Sequence, residues 1–83
     1  MKLLYFAWIR EKIGKSEEAY DCPESVSTVK QLMDDLKSRG GGYEEAFADE
    51  SVVRVAVNHD YARLNDSINP SDEIAFFPPV TGG

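Results

Sequence analysis

Apolar and polar positions alternate or recur along this chain with periods that change from strand-like to helical and back. Leu3 to Ile9 is a short apolar run that predicts a first strand over about Lys2 to Trp8. Arg10 to Lys15 are then expected to turn the chain through Gly14 into a second strand near Glu17 to Asp21, making a hairpin that Pro23 ends. Thr28, followed three residues later by Gln31, has the spacing of a capping box at a helix start. Val29, Leu32, Met33 and Leu36 follow at i, i+3, i+4 and i+7, one apolar stripe with Lys30, Asp34, Asp35 and Lys37 off it. Gly40-Gly41-Gly42 is expected to stop this helix, with a short helical turn at Tyr43 to Phe47. Val53, Val55 and Val57 then alternate with Val52, Arg54 and Ala56, a third strand that breaks at Asn58-His59-Asp60. Tyr61 to Leu64 pair back briefly, and the turn Asn69-Pro70-Ser71-Asp72 launches a last strand, Glu73 to Phe77. The predicted order is β-β-α-β-β-β.

One helix covers one face of such a sheet, yet the first predicted strand is apolar on both. With Leu3, Tyr5 and Ala7 facing the helix, Leu4, Phe6 and Trp8 face outward, because successive strand side chains alternate. Phe76 and Phe77 raise the same conflict. Phe77, by its parity with Ala75, is expected to join Phe6 on an exposed apolar patch, with Tyr61 beside them. The functional reading of such contiguous apolar surface is a docking face for another protein, and the alternative is that loops or the strand's own neighbours cover these residues.

The last strand must stop at Pro78-Pro79, since neither proline donates a ladder hydrogen bond. Two prolines favour a stiff exit, and six residues at ~3.3 Å each can carry the terminus roughly 20 Å from the sheet. The expected division is therefore a domain over residues 1–77 and an extended tail over 78–83. Gly82 and Gly83 present no side chain, so a narrow channel could admit them, and the chemistry available to the tail is that of its own carboxylate.

Composition narrows the partners. The 83 residues have room for one domain, and 15 acidic against 9 basic residues give a net charge of −6. That balance argues against nucleic acid or an anionic membrane surface as partner and favours a basic protein surface. Asp34-Asp35 and Glu44-Glu45 read as a solvated acidic face, and adjacent Arg10 and Glu11 as a surface ion pair, with a binding role for Arg10 as the alternative. A single cysteine, Cys22, and a single histidine, His59, exclude an internal disulfide and a metal-ligand cluster and fit a reducing cytosol. Cys22 is expected to pack and His59 to be solvated. Lys2 before the apolar run does not make a secretion signal, because Arg10-Glu11-Lys12 follow directly. No set of general acid, base and nucleophile marks the chain as an enzyme on its own.

Asp72 to Gly83, including Phe76-Phe77-Pro78-Pro79-Val80-Thr81-Gly82-Gly83, resembles the C-terminus of the small, sulfur-carrying subunit of molybdopterin synthase. Tyr5 to Gly14, with its Arg10-Glu11-x-x-Gly14 turn, resembles that family's first strand and following turn, and Ala56-Val57-Asn58 resembles its third strand. Trp8 is large for its position, and Gly40 to Gly42 is looser than the family's helix exit. The resemblance implies an α+β, ubiquitin-like β-grasp fold, a mixed sheet with one main crossover helix and a flexible Gly-Gly tail. It further implies a cytoplasmic sulfur carrier of molybdenum cofactor biosynthesis, not catalytic by itself and with no permanently bound cofactor. An adenylyltransferase of the ubiquitin-activating type, using ATP and magnesium, would place AMP on Gly83, and the acyl-adenylate would become a thiocarboxylate. The large subunit would take up the tail and deliver the sulfur to cyclic pyranopterin monophosphate, in a heterotetramer of two small and two large subunits. Gly82 and Gly83 would carry the chemistry, with Phe6, Arg10, Tyr61, Phe77, Pro78, Pro79, Val80 and Thr81 meeting partners. Two alternatives share the glycine end: a β-grasp sulfur carrier for thiamine or an amino acid, and a ubiquitin-like protein modifier.

Overall fold

A computed structural model describes residues 1–79. The elements are β1 (Lys2–Tyr5), α1 (Ala7–Ile13), β2 (Glu17–Ala19), α2 (Val29–Lys37), α3 (Gly41–Ala46), a 3-10 turn (Glu50–Val52), β3 (Arg54–Val57), β4 (Asp60–Ala62) and β5 (Glu73–Phe77). They build one five-stranded sheet in the order β2-β1-β5-β3-β4. β1 and β5 are parallel neighbours, with Leu3 opposite Ile74 and Tyr5 opposite Phe76, while β1–β2, β3–β5 and β3–β4 are antiparallel. This is the expected β-grasp arrangement. Parallel pairing at the centre accounts for the apolar character of both terminal strands.

The first strand is shorter than predicted. It ends at Tyr5, and Ala7 and Trp8 belong to α1, so the stretch expected to be a simple turn is a helix inside the β1–β2 connection. Phe6 is extended (φ −123°, ψ 155°) and Ala7 has φ 52°, which swings the chain out of the sheet. From there Trp8, Ile9 and Ile13 recur at helical spacing, Ile9 buried and the other two packed against the core, with Arg10, Glu11 and Lys12 on the wet side. Strand parity alone cannot separate Phe6-Ala7-Trp8 from a continuing strand. Gly14 closes the helix at φ 89°, its N–H donating to the Arg10 carbonyl at 2.7 Å.

α2 forms where predicted. The Thr28 hydroxyl accepts from the Gln31 N–H at 3.2 Å, and Gln31 reaches back one residue beyond the usual box, its Oε1 accepting from the Ser27 N–H at 2.8 Å. Val29, Leu32, Met33 and Leu36 are all buried against the inner sheet face. The glycine run does more than stop α2. Gly41 and Gly42 are the first turn of α3, so that helix begins before the predicted Tyr43. A Cβ on Gly42 would lie 1.9 Å from the Lys12 carbonyl oxygen, so α1 and α3 meet backbone to backbone at a point only glycine fits.

The core on the helix side is built from Leu3, Tyr5, Ile9, Leu32, Leu36, Phe47, Ile74 and Phe76, all essentially without exposure. Phe76 stacks on Tyr5 with ring centroids 5.9 Å apart and receives the edge of Phe47 at 5.0 Å. At the rim, the Glu18 carboxylate accepts from the Tyr5 hydroxyl (2.7 Å), the Tyr43 hydroxyl (2.6 Å) and Arg39 Nη1 (3.0 Å), tying β1, β2, α3 and the end of α2 together. Burial alone would raise the Glu18 pKa, but hydrogen bonds from Tyr43, Tyr5 and Arg39 outweigh it and hold the carboxyl below its ordinary value. Nothing in the local sequence marks Glu18 for this role, because its three donors come from distant positions.

Candidate functional site: an aromatic groove at the end of the last strand

Among the described residues, no helix covers the other face of the sheet. Alternation sends Ala56 of β3 and Ala75 and Phe77 of β5 to this face, and Phe6 adds its ring just past the end of β1. Ala56 and Ala75 are direct cross-strand partners, and Ala56 also pairs with Tyr61 of β4. Two methyl groups thus form a floor between large aromatic walls. The result is an open groove of about 530 Å³ lined by Phe6, Ala56, His59, Tyr61, Ala75, Phe77 and Pro78. Phe6 is 47% exposed and Tyr61 77% exposed, while the rings of Tyr61 and Phe77 sit 5.8 Å apart at 54°.

The far rim is pinned with unusual care. Asn58 and His59 both have positive φ (50° and 75°) and form the two-residue turn between Val57 and Asp60, a backbone that asparagine tolerates well. The Asn58 N–H donates to the Glu73 carbonyl at 2.8 Å, and its side-chain oxygen accepts from the Glu73 N–H at 2.9 Å. Asn58 Nδ2 donates to Asp72 Oδ1 at 2.9 Å, and Asp72 Oδ2 accepts from the Asn69 N–H at 2.7 Å. Asp72 is buried, so these bonds satisfy a carboxylate that water does not reach freely. Sequence reasoning saw Asn58 and Asp72 only as turn formers. Together they hold the hairpin that carries His59 and Tyr61 against the start of β5.

Of the residues singled out in the sequence, Phe6, Tyr61, Phe77 and Pro78 are brought into one groove, and Pro79 follows directly. Val80, Thr81, Gly82 and Gly83 lie outside the described residues. Arg10 is exposed on α1 and is not part of the groove lining. It makes no ion pair with Glu11 among the described residues, as adjacent helical side chains diverge by about 100°. Trp8, expected outward with Phe6, instead packs against the core from α1. His59 is exposed as expected, yet it also lines the groove, and the two alanines of the floor were missed. Parity signals Ala75, which shares a strand face with Phe77, whereas Ala56 has no aromatic on its own strand and meets Tyr61 only across the sheet. Cys22 packs, its thiol donating to the Val26 carbonyl at 3.2 Å, and burial pushes that thiol up, away from reactivity. Among the described residues no group of three His, Cys, Asp or Glu side chains could hold a metal ion, and no helix is long and apolar enough to cross a membrane.

A family model described as the ThiS family matches residues 3–83, from the first strand through the terminal glycines. The chain belongs to that family. A Haemophilus influenzae relative named molybdopterin synthase sulfur carrier subunit is 34% identical over 83 residues, covering 100% of this chain and 99% of its own. The structure named as a putative molybdopterin converting factor, subunit 1, from Pyrococcus furiosus is 32% identical, with a TM-score of 0.77 and 95% of each chain covered. Small archaeal modifier protein 1 of Haloferax volcanii is 28% identical with a TM-score of 0.73, over 96% of this chain and 97% of that one. The proteins this chain is similar to thus include one named as a sulfur carrier subunit and one named as a modifier.

Proposed function

We propose that this protein is a sulfur carrier of molybdenum cofactor biosynthesis, the small subunit of a molybdopterin synthase. The single observation that carries the reading is full-length kinship with proteins named as that subunit, reaching the last glycine. The groove supports it, because a bare aromatic surface at the root of the tail is where a partner receiving that tail would close.

In this reading the Gly83 carboxylate attacks the α-phosphate of ATP on an activating enzyme, with magnesium, and pyrophosphate leaves. A free carboxylate is a poor acyl donor, whereas its mixed anhydride with AMP has a good leaving group. A sulfur nucleophile then displaces AMP and leaves a thiocarboxylate. Docked through Phe6, Tyr61, Phe77 and Pro78, the carrier passes Val80 to Gly83 into the large subunit, where the sulfur goes to cyclic pyranopterin monophosphate. Two carriers and two large subunits form the assembly. Neither Cys22 nor His59 takes part in the chemistry.

The test is the intact mass of the chain after incubation with activating enzyme, ATP and a sulfur donor, followed by large subunit and the pterin. One oxygen replaced by sulfur at the terminus, and restored only when both additions are present, is the expected result. A loaded terminus that the pterin system cannot discharge would move the protein to another sulfur pathway. Likeness to a modifier protein favours a second reading, in which the activated Gly83 forms isopeptide bonds to lysines. Its mark is the same activation ending in conjugates of higher mass.

A further inference from the structure

Six of the fifteen acidic residues lie on or next to the helices, Asp34 and Asp35 on α2, Glu44 and Glu45 on α3, with Asp49 and Glu50 just beyond, while Glu73 alternates onto the open face at the far end of β5 from Phe77. The groove lining holds no carboxylate. Opposite Phe77, the last residue of β5, the cross-strand partner is a cation, Arg54. Directly paired residues project to the same sheet face, so Arg54 stands beside Phe77 on the open side. It is exposed and belongs to no ion pair among the described residues. Its Nη1 donates to the Ser51 carbonyl at 3.0 Å, a neutral acceptor that orients the guanidinium and leaves its charge uncompensated. β3 and β5 are antiparallel, so Arg54, the first residue of β3, stands at the end of β5 where the chain leaves the sheet.

We propose that Arg54 is a specificity residue for the docking partner: standing beside Phe77 at the root of the tail, it receives a carboxylate from the protein surface that closes over the groove. The inference rests on the docking reading above and adds the chemistry the partner must offer. An arginine fork matches a carboxylate with paired hydrogen bonds, and Arg54 keeps donors to spare after its bond to Ser51. A partner that covered Phe77 without supplying an anion would strip water from an unpaired cation, which disfavours the wrong surface. A nucleotide phosphate fits less well. The reacting carboxylate is four residues beyond Pro79, a contour of roughly 13 Å. The whole-chain charge of −6 points to a basic partner, but this edge of the docking face asks for an acidic residue within it.

The test titrates the molybdopterin synthase large subunit with full-length wild type, Arg54→Glu, Arg54→Lys and Phe77→Ala, at low and moderate salt. Arg54→Glu is expected to weaken binding on the order of tenfold or more and to flatten its salt dependence, with thermal unfolding unchanged. Arg54→Lys, which keeps the charge and loses the fork, should fall between. Affinity of Arg54→Glu within about twofold of wild type would overturn the proposal while leaving docking intact, provided Phe77→Ala still binds weakly. If the wild type itself does not bind, the docking reading fails and the role of Arg54 fails with it.

Discussion

Phe76 and Phe77 are neighbours in one strand with opposite fates. Phe76 has no exposed surface and is stacked on Tyr5 and edged by Phe47, whereas Phe77 is half-buried on a face with no helix above it, beside a tyrosine that is 77% exposed. The same division runs through the whole sheet. On the helix side, large side chains interlock, and among the described residues every buried side-chain nitrogen and oxygen has a hydrogen-bond partner, with three donors converging on Glu18. On the open side, aromatic rings stand around a floor of two alanines and leave a hollow. A protein that needed only to be stable would cover or replace that second surface. On the proposed docking reading, one face holds the fold together and the other, immediately before a proline pair, meets the partner.

The pair itself offers the sharpest way to break this comparison. Phe76→Ala should cost about 3–5 kcal/mol, the range for truncating a fully buried aromatic. For a domain of this size that approaches the whole stability, so Phe76→Ala is expected to be largely unfolded. Phe77→Ala should cost about 1 kcal/mol or less, yet weaken binding to the large subunit at least tenfold. Urea unfolding of both variants, with calorimetric titration of Phe77→Ala, checks the split. Equal destabilisation by the two would show that the faces do not divide the work.

Gly42→Ala comes next. The added Cβ meets a backbone carbonyl and not the end of a side chain, so α1 and α3 must separate, at about 1–3 kcal/mol. Partner affinity per folded molecule should stay near wild type, because neither helix lines the groove. Thermal unfolding and titration of the same sample measure both quantities. A loss of affinity without a loss of stability would link the α1–α3 seam to docking.

What could be read beforehand divides along the same line. α2 was legible down to its cap because a helix with one wet face writes its period into the sequence, and β5 because a proline pair ends it. The outward position of Phe77 followed from parity with Ala75, and Phe6 and Tyr61 joined it as expected. α1 was not legible. Its apolar residues continue the run of β1 without a break, and the change of period is made by the backbone at Phe6 and Ala7, where no proline or glycine marks it. Gly42, Glu18 and the Asn58–Asp72 pair were missed for a shared reason: each acts through a partner remote in sequence, and a single chain does not say which residues meet. The groove was half legible, its walls from hydrophobicity and its floor only once β3 and β5 are set side by side.

Glu18 sharpens the comparison through pH. Its folded pKa is lowered, so its contribution is fully present above the ordinary carboxylate value of 4.5 and is lost as pH falls through the folded value. Glu18→Gln should therefore be less stable than wild type by about 1–3 kcal/mol at neutral pH, and the gap should narrow below about pH 4.5. Denaturant melts of the two proteins across that range measure it. A constant gap would mean that shape, and not charge, holds Tyr5, Tyr43 and Arg39 together.

Tyr61→Ala has the smallest expected effect on stability and tests the open face most strictly. The ring is 77% exposed and meets the Phe77 ring at 5.8 Å, so its removal should change the unfolding free energy by less than about 1 kcal/mol. Its backbone pairs with Ala56 through the β3–β4 ladder, and that pairing survives the substitution. What remains is the contribution of the ring to a wall of the groove. A partner that fills the hollow between Phe6, Phe77 and Tyr61 loses one side of its contact, and affinity should fall by severalfold, about 1–2 kcal/mol. Loss of stability by more than that amount, with binding intact, would make Tyr61 a structural brace for the edge strand and move the recognition surface toward Phe6 and the tail.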